Sequence, residues 1–387
     1  MHSNHDFKLF LNQIEQFIEE LLIPSEAVLA NTHEIPAEIV KAMQKLGLFG
    51  LTIPTQYGGM GLTMSQEIEV VFQLGRAAPA FHSLIGANTG IGAQGIVLKG
   101  TEEQKNKYLP KLASGDMLAA FALTEENAGS DIASVETTAC HSSKGWLING
   151  KKRYISNATH ANIFTVIART NNQERKNLTA FLVDANTLGI KIAEPDKKMG
   201  HDGAPTAEVI FNNCLVPSNA ILGEIGEGID LVKQVLNRGR LRIAALSVGI
   251  AKRLIQDALC YAANRRQFGS RVVDFQLIQA MFADSQTESY AAECMVRETA
   301  KLLSSGIQSF TEAASCKLFA TEMVGRVADR AVQILGGAGY MTAYPIERFY
   351  RDVRLFRIYE GTSQIQQLII AKELIKQHLS TCVKHEH

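Results

Sequence analysis

Hydrophobic residues in the C-terminal half of the chain recur at helical spacing over long stretches. Between residues 232 and 261 they follow one another mostly at steps of three or four. Residues 275–303 and 310–335 repeat this pattern, and no proline lies between Pro217 and Pro345. This spacing buries one face of a helix, and proline is the strongest helix breaker. The pattern therefore predicts a bundle of long helices from about residue 229.

Residues 121–220 have a different pattern, with short β-type runs at 164–168, 179–183, 190–193 and 207–211. Asn149-Gly150 lies between two further runs and predicts a type I′ hairpin turn that joins two strands. The preceding part of the chain is helical, and Thr101 and Gln104 form a predicted capping box at a helix start. The sequence thus predicts a helical domain (1–120), a small β domain (121–228) and a second helical domain (229–387).

Composition excludes several classes of protein. The 39 Lys and Arg residues balance 39 Asp and Glu residues, so no basic surface for nucleic acid or an anionic membrane is expected. The apolar runs are too short to cross a bilayer, and the N-terminus lacks the pattern of a secretory signal. The six cysteines are scattered singly, which predicts reduced, buried thiols and no metal site.

Gly90, Gly92 and Gly95 match the GxGxxG pattern of dinucleotide-binding proteins. That pattern has this meaning only on a turn from a strand to a helix in a βαβ unit. The flanking residues predict helix or loop instead, so we interpret these glycines as close-packing positions.

Two other segments could contact a cofactor. Residues 121–131 run from a predicted strand into a Gly-Ser-Asp turn, whose N–H groups and hydroxyls suit a phosphate or a ring carbonyl. Residues 333–339 end a predicted helix with small residues, where backbone can approach a diphosphate. Each segment can equally be read as ordinary structure, a strand-end loop in the first case and a helix C-cap in the second.

Glu360 lies between the apolar residues around Tyr359 and the start of a predicted helix. A carboxylate at such a junction can have its pKa raised by burial, as a base working near neutral pH requires. It can also be an ordinary first-turn glutamate that the helix dipole favours. Arg348, Arg351, Arg354 and Arg357 recur every three residues and cannot share one helix face, so they predict ion pairs.

Taken together, these segments resemble the acyl-CoA dehydrogenase family over residues 7–377. The motifs that carry the resemblance are residues 54–61, 121–131, 265–269, 333–339 and 359–364, in the family's order and spacing. The resemblance implies an α+β, mainly α fold: an N-terminal helical bundle, a central β-barrel-like domain and a C-terminal four-helix bundle. It also implies FAD as the cofactor.

The resemblance assigns positions in the flavin and nucleotide sites. The flavin ring would rest against Phe121, Leu123, Thr124, Tyr154 and Ser156, with Ser130 near a phosphate or the thioester. The remaining FAD contacts would be Arg265, Gln267, Phe268, Gln276, Gln333, Gly336, Gly337, Thr362 and Gln364. Tyr154 replaces a tryptophan that many relatives have. Part of the adenine and diphosphate site comes from a neighbouring subunit in this family, which implies at least a dimer and usually a homotetramer built as a dimer of dimers.

The resemblance makes Glu360 the base that removes the α-proton of an acyl-CoA while flavin N5 accepts the β-hydride, which yields the trans-2-enoyl-CoA. Residues along the acyl-CoA path would be Ser130, Asn237, Arg240, Tyr359, Glu360 and Gly361. Some relatives place the base at the position of Gly239, and here glycine leaves Glu360 as the candidate. Gly86 and Ala87 fall at the closed end of the family's acyl tunnel, where small residues imply room for medium or longer straight chains.

The implied electron acceptor is an electron-transfer flavoprotein. The implied location is the cytoplasm, or the mitochondrial matrix if a transit peptide has been removed. An acyl-CoA oxidase and a dehydrogenase of carrier-protein thioesters stay open as alternatives, as does a non-catalytic helical scaffold.

Overall fold

The computed structural model describes residues 4–170 and 177–384, with side chains described for residues 5–170 and 177–380. Backbone contacts divide the chain into two compact units. Among the described residues, the first unit contains Pro24–Thr63 and Ala80–Leu236, together with residues 4–7. The second unit contains Lys8–Ile23, Met64–Pro79 and the chain from Asn237 onward.

Helices dominate the chain before residue 119. They are α1 (Asn4–Phe17), α2 (Ile23–Thr32), α3 (Ala37–Lys45), α4 (Met64–Leu74), α5 (Pro79–Ile85), α6 (Gln94–Lys99) and α7 (Glu102–Ser114). Thr101 caps α7 as predicted: its Oγ1 accepts from Gln104 N (3.2 Å), and Gln104 Oε1 accepts from Thr101 N (3.0 Å). The GxGxxG glycines lie in a π-helical turn (Gly86–Gly92) and in α6, which confirms that they do not form a dinucleotide-binding turn.

The first unit contains an eight-stranded sheet. Its strands are β1 (Ala119–Ala122), β2 (Thr138–Ser142), β3 (Gly145–Ser156), β4 (Ile163–Arg169), β5 (Leu178–Asp184), β6 (Ile190–Ile192), β7 (Thr206–Val216) and β8 (Ile221–Leu222). Their order is β6-β7-β3-β2-β4-β5-β8, and β1 pairs in parallel with β4. Two apolar clusters of this unit include residues of the sheet. One contains Phe121 and Ile167, and the other contains Trp146, Phe164 and Phe181.

The predicted hairpin turn at Asn149-Gly150 is wrong. Both residues lie inside β3, and the pairing of β3 with β7 shifts register between Ile148 and Gly150. A Cβ at Gly150 would come within 2.7 Å of the Thr137 Cα atom. Glycine is therefore needed here for close approach of another backbone, and the same residue pair would serve equally well in a turn.

Helices, most of them long, form the second unit from Asn237 onward, as predicted. They are α8 (Gly228–Asn264), α9 (Gln276–Ser304), α10 (Phe310–Leu335), α11 (Ile346–Val353) and α12 (Ser363–Lys384), with a short hairpin of β9 (Arg266–Gln267) and β10 (Ser270–Arg271). Their core includes Leu246, Val296, Val324 and Phe349. The predicted fold class is confirmed: the protein is α+β and mainly α, with helices before and after the sheet.

Gly75 and Gly249 let α4 and α8 cross closely within the second unit. A Cβ at Gly249 would lie 2.3 Å from the Phe72 carbonyl oxygen and 2.8 Å from the Gly75 Cα atom. Both obstacles are backbone atoms, so a side chain at this crossing requires the helices to separate.

Five cysteines with described side chains are free; Cys382 lies outside the described side chains. The prediction that they are buried is wrong for Cys140, Cys260 and Cys294, which are exposed, and right for Cys214 and Cys316. Burial raises the pKa of each of these two thiols to about 11. Among the residues described, no helix combines the length and apolarity that a bilayer crossing demands.

Candidate active site

Glu360 and Gly361 form a sharp backbone bend directly before α12. Glu360 has φ of +55° and Gly361 has φ of +87°, so both residues occupy the left-handed region. Glycine adopts this region freely, whereas a glutamate requires support from its surroundings. Gln366 supplies part of that support: its Nε2 donates to the Gly361 carbonyl (2.8 Å) and to the Glu360 carbonyl (3.3 Å). Lys317 Nζ on α10 also donates to the Gly361 carbonyl, at 2.8 Å.

The Glu360 carboxylate points at Gly239 on α8. A Cβ at Gly239 would lie 2.6 Å from Glu360 Oε2, so the missing side chain provides the space that the carboxylate occupies. Oε2 is buried, and among the described residues it has no hydrogen-bond partner. A buried carboxylate oxygen without a donor is costly and is available to accept a proton.

The electrostatic surroundings of Glu360 act in two directions. Burial raises the pKa of its carboxyl above the usual glutamate value, and the positive charges of Arg240, Arg242 and Lys317 limit that rise. Arg242 also pairs with the buried carboxylate of Glu67. Arg240 is 7 % exposed, and its Nε has no hydrogen-bond partner within the described residues. The sequence-based prediction of a raised pKa at Glu360 has the correct sign.

Neighbouring positions complete the surroundings of the bend. The Tyr359 ring stacks on Phe356 with centroids 5.6 Å apart, and burial raises the pKa of Tyr359 well above its usual value. Thr362 Oγ1 accepts from Ile365 N (3.2 Å) at the start of α12, while Gln364 is exposed. Asn237 is 4 % exposed, and its Oδ1 lacks a hydrogen-bond partner in the described part of the chain.

A cavity of about 560 Å³ in the second unit brings together four of the predicted FAD residues: Arg265, Gln267, Gly336 and Gly337. At each glycine a Cβ would have nothing within 4 Å, so the backbone faces open space. An exposed guanidinium beside two open glycine backbones fits the charged diphosphate of FAD. Phe268, Gln276 and Gln333 are exposed and are not among the lining residues; Phe268 is 96 % exposed.

The predicted flavin residues of the first unit lie along two strands and the segment that follows β1. Phe121 in β1 and Leu123 just after it are buried, and the Thr124 carbonyl accepts from Arg153 N (2.8 Å) on β3. Tyr154 is 61 % exposed, with φ of +57°, and Ser156 ends β3. Ser130 is exposed in the turn at the end of the segment.

A buried ion pair anchors this segment, and the sequence analysis did not identify it. Lys152 is fully buried; its Nζ donates to Glu125 Oε1 (2.7 Å) and to the carbonyls of Leu123 (3.0 Å) and Ile167 (2.7 Å). Burial lowers the pKa of Lys152 to about 8, although Glu125 opposes the shift. Burial by itself would raise the pKa of Glu125, but Lys152 and further hydrogen bonds lower it overall.

Lys317 and Gln366 were also missed by the sequence analysis. Lys317 bonds to a distant segment, and Gln366 bonds to carbonyls of a bend that only the folded backbone defines. The available signal in the sequence was a polar residue at a helix position that the apolar spacing predicts to be buried. Both side chains are indeed 0 % exposed. Two of the arginines predicted to form ion pairs have these partners: Arg351 pairs with Glu347 (2.8 Å) and Arg357 with Glu322 (3.3 Å).

Three family models match successive parts of the chain. They are the N-terminal domain of acyl-CoA dehydrogenase over residues 4–116, the middle domain over residues 120–214 and the C-terminal domain over residues 226–375.

Among curated proteins, an acyl-CoA dehydrogenase of Bacillus subtilis (strain 168) is 39 % identical over 97 % of this chain and 99 % of its own. The mitochondrial very long-chain specific acyl-CoA dehydrogenase of Macaca fascicularis is 40 % identical over 94 % of this chain. The match spans 57 % of that longer protein.

Solved structures agree with this relationship. An FAD complex of acyl-CoA dehydrogenase from Bacillus anthracis has a TM-score of 0.92 and 34 % identity, over 98 % of this chain and 68 % of its own. A prolyl acyl carrier protein oxidase has a TM-score of 0.92 and 30 % identity, over 96 % and 99 % of the two chains. A chain from a structure of an electron-transferring flavoprotein of Acidaminococcus fermentans has a TM-score of 0.92 and 34 % identity, over 97 % and 99 %. This chain therefore belongs to the acyl-CoA dehydrogenase family of FAD-dependent oxidoreductases.

Proposed function

We propose that the protein dehydrogenates a fatty acyl-CoA between its α and β carbons, with Glu360 as the base. The observation that carries this proposal is the Glu360 carboxylate: its Oε2 is buried, has no hydrogen-bond partner among the described residues, and is aimed at the space left by Gly239. A base must be ionised before the reaction and neutral after it, so a pKa raised by burial suits the transfer. The neutral product form of Glu360 is also the form that a buried site favours.

Each side chain near the bend has a part in this proposal. Arg240, Arg242 and Lys317 keep Glu360 from being protonated too readily. The α-hydrogen of a thioester is poorly acidic until its carbonyl oxygen accepts hydrogen bonds, so donors must face the developing enolate. We assign the backbone N–H of Glu360 as one donor. When bound, FAD supplies N5 as hydride acceptor and a ribityl hydroxyl as a second donor.

We assign the rest of the acyl-CoA path and the cofactor site from the family resemblance. Asn237, Arg240, Tyr359, Gly361 and Ser130 would contact acyl-CoA. FAD would be held by Phe121, Leu123, Thr124, Ser130, Tyr154, Ser156, Arg265, Gln267, Phe268, Gln276, Gln333, Gly336, Gly337, Thr362 and Gln364. The cavity at Arg265 and Gly336 supports the diphosphate end of this assignment.

We further infer a place in fatty acid β-oxidation, an electron-transfer flavoprotein as acceptor, and a cytoplasmic homotetramer. The similarity to a chain from an electron-transferring flavoprotein structure supports the acceptor. The 96 % exposed ring of Phe268, which meets the Phe275 ring edge-on with centroids 6.3 Å apart, supports assembly, because burial of exposed apolar surface against a second subunit is favourable. The ranges of the three matched family domains support the division at residues 1–120, 121–228 and 229–387.

A carrier-protein thioester is the second candidate substrate, because a prolyl acyl carrier protein oxidase shares the fold at 30 % identity. The acyl chain length is open as well. A Cβ at Gly86 would lie 3.0 Å from the His82 ring, so the small residue at 86 is bounded by an imidazole. Anaerobic flavin bleaching should be compared across acyl-CoAs of increasing length and against carrier-protein thioesters. Peroxide formation in air would identify an oxidase.

Replacing Glu360 with Gln tests the base directly. The variant should retain FAD, because its side chain stays similar in shape, and should lose acyl-CoA-dependent bleaching by at least about 100-fold, as removal of a positioned base predicts. Glu298→Gln changes an exposed glutamate on α9 in the same way and should bleach at the wild-type rate. Bleaching by Glu360→Gln at the wild-type rate would refute the assignment of the base.

A further inference from the structure

Two fully buried polar side chains converge on a single backbone carbonyl beside Glu360. Lys317 Nζ and Gln366 Nε2 each lie 2.8 Å from the Gly361 oxygen. Lys317 reaches it from α10, and Gln366 reaches it from the first turns of α12. Two donors on one carbonyl fix the orientation of the peptide group that follows the bend.

A buried lysine is costly unless its surroundings compensate for the lost hydration. The Lys317 hydrogen bond to Gly361 provides part of that compensation. Glu360 provides the largest attraction among the charged groups around Lys317, Glu322 on the same helix adds to it, and Arg240 opposes it. Lys317 therefore attracts the Glu360 carboxylate electrostatically and also donates a hydrogen bond to the bend.

Glu322 links α10 to the same segment a second time. Its Oε1 accepts from Ser363 Oγ (2.6 Å) and its Oε2 accepts from Arg357 (3.3 Å). These two residues lie on either side of Glu360 in the chain. α10 thus binds the segment before the bend, the bend itself and the helix start after it.

We propose that Lys317 and Gln366 are positioning residues for the base: both hold the 360–361 bend, and Lys317 also provides positive charge that favours ionised Glu360. The proposal rests on the assignment of Glu360 as base and deepens it. Their effects on the position and on the ionisation of Glu360 can be separated. Gln366 is neutral and only holds the bend, whereas Lys317 holds the bend and also carries a positive charge.

The groups that face Glu360 determine the sign of the charge effect. They are Arg240 and Arg242 from α8, Lys317 from α10 and the neighbouring Tyr359. Burial lowers the pKa of Lys317 to about 8, with Glu360 opposing the shift, so Lys317 is charged at pH values below that. Removing this positive charge makes ionised Glu360 less favourable, so its titration should move to higher pH.

The test combines an infrared titration of the Glu360 carboxyl with anaerobic flavin bleaching, in the FAD-loaded protein. The carbonyl band of protonated Glu360 is identified by its loss in Glu360→Gln. In Lys317→Met this band should titrate at higher pH than in the wild type. In Gln366→Leu it should titrate as in the wild type, while bleaching slows by about 10- to 100-fold because the base is misplaced.

Cys316→Ala is the matched control on α10. Cys316 is buried next to Lys317 in sequence, and its Sγ lies 3.2 Å from Thr299 Oγ1 on α9. In Cys316→Ala, the Glu360 carboxyl band should titrate as in the wild type, and the flavin should bleach at the wild-type rate. If Lys317→Met does not fold, Lys317→Gln carries the same expectation for the titration.

An unchanged carboxyl titration after loss of Lys317 would overturn the charge effect, whatever the bleaching rate. A Gln366→Leu protein that bleaches at the wild-type rate would overturn the anchoring. Failure of the proposed function looks different: Glu360→Gln would then still bleach, while the infrared titration would continue to report whether Lys317 acts on Glu360.

Discussion

The Glu360 carboxylate occupies the space that a side chain at position 239 would fill, so under the proposed mechanism Gly239 has a role in catalysis. The 2.6 Å separation between a Cβ at position 239 and Glu360 Oε2 leaves no space for both. From the sequence, Gly239 only eliminates a rival base. In the fold, the glycine also creates the space for the carboxylate at 360.

Gly239→Ala should therefore impair catalysis without impairing folding. The atom in its way is the end of a flexible side chain, so the carboxylate can move aside at little cost, and alanine is the better helix former. We expect flavin reduction to slow by about 10- to 100-fold through misplacement of the base. Stopped-flow bleaching and thermal unfolding measure the two effects.

Gly325→Ala is the control for this change, since a Cβ there would lie 3.5 Å from Arg357 in ordinary contact. Its bleaching rate should match the wild type. A Gly239→Ala protein that bleaches as fast as the control would contradict the shared-volume argument.

Residue-level roles were predictable from sequence only where chemistry follows from a residue and its chain neighbours. The apolar flanks of Glu360 and the following helix made it a candidate, equally compatible with an ordinary helix-start glutamate, and the family resemblance of the surrounding motifs assigned it as base. Lys317 could not, because its hydrogen-bond partner Gly361 is 44 residues away, and nothing near position 317 indicates a contact with the bend.

Elements were predictable where one pattern persists over many turns. The helices α8, α9 and α10 have apolar residues at three- and four-residue steps for more than 25 residues each. Neither a strand nor a loop produces this spacing over such a length. Asn149-Gly150 failed because the same dipeptide suits a turn and a crowded strand. The close approach of Thr137 that decides between them is a tertiary contact.

The buried Lys152–Glu125 pair joins β3 and β4 to the segment after β1, so its loss should destabilise the first unit. Lys152→Met leaves Glu125 buried without its ion-pair partner and should cost about 3–5 kcal/mol. Combining it with Glu125→Gln should cost less than the sum of the single changes, because the stranded charge is then absent. Calorimetric unfolding of the two single variants and the double variant measures the coupling free energy between Lys152 and Glu125. Strictly additive losses of stability would show that the two side chains do not stabilise each other.

The crossing of α4 and α8 should tolerate no side chain at position 249. Gly249→Ala forces a Cβ against the Phe72 carbonyl oxygen and should destabilise the protein by about 1–3 kcal/mol. Gly325→Ala makes the same change in α10 without a backbone obstacle and should leave stability unchanged or raise it by up to about 1 kcal/mol. Thermal unfolding of the pair provides the comparison, and equal midpoints for both would show that the crossing can relax.

For the whole molecule, the proposed FAD contacts extend from Phe121 to Gln364, so much of the chain should be stabilised by the cofactor. Free FAD at 100 times its dissociation constant should add about 2.7 kcal/mol to the free energy of unfolding. The unfolding midpoint should therefore rise with FAD concentration. Riboflavin lacks the diphosphate for which we assign Arg265 and should raise it less; equal effects of the two flavins would contradict that assignment.

With Glu360 as the proposed base, its left-handed backbone places stability and turnover in conflict. Glycine at this position would relieve a strained φ that costs on the order of 1–3 kcal/mol. It would also remove a buried carboxylate oxygen that has no donor within the described part of the chain. Variants with glycine at position 360 should accordingly be more stable and catalytically inactive. Laboratory evolution for heat resistance, run without an activity screen, should therefore discard the glutamate early, and only selection for turnover keeps it in place.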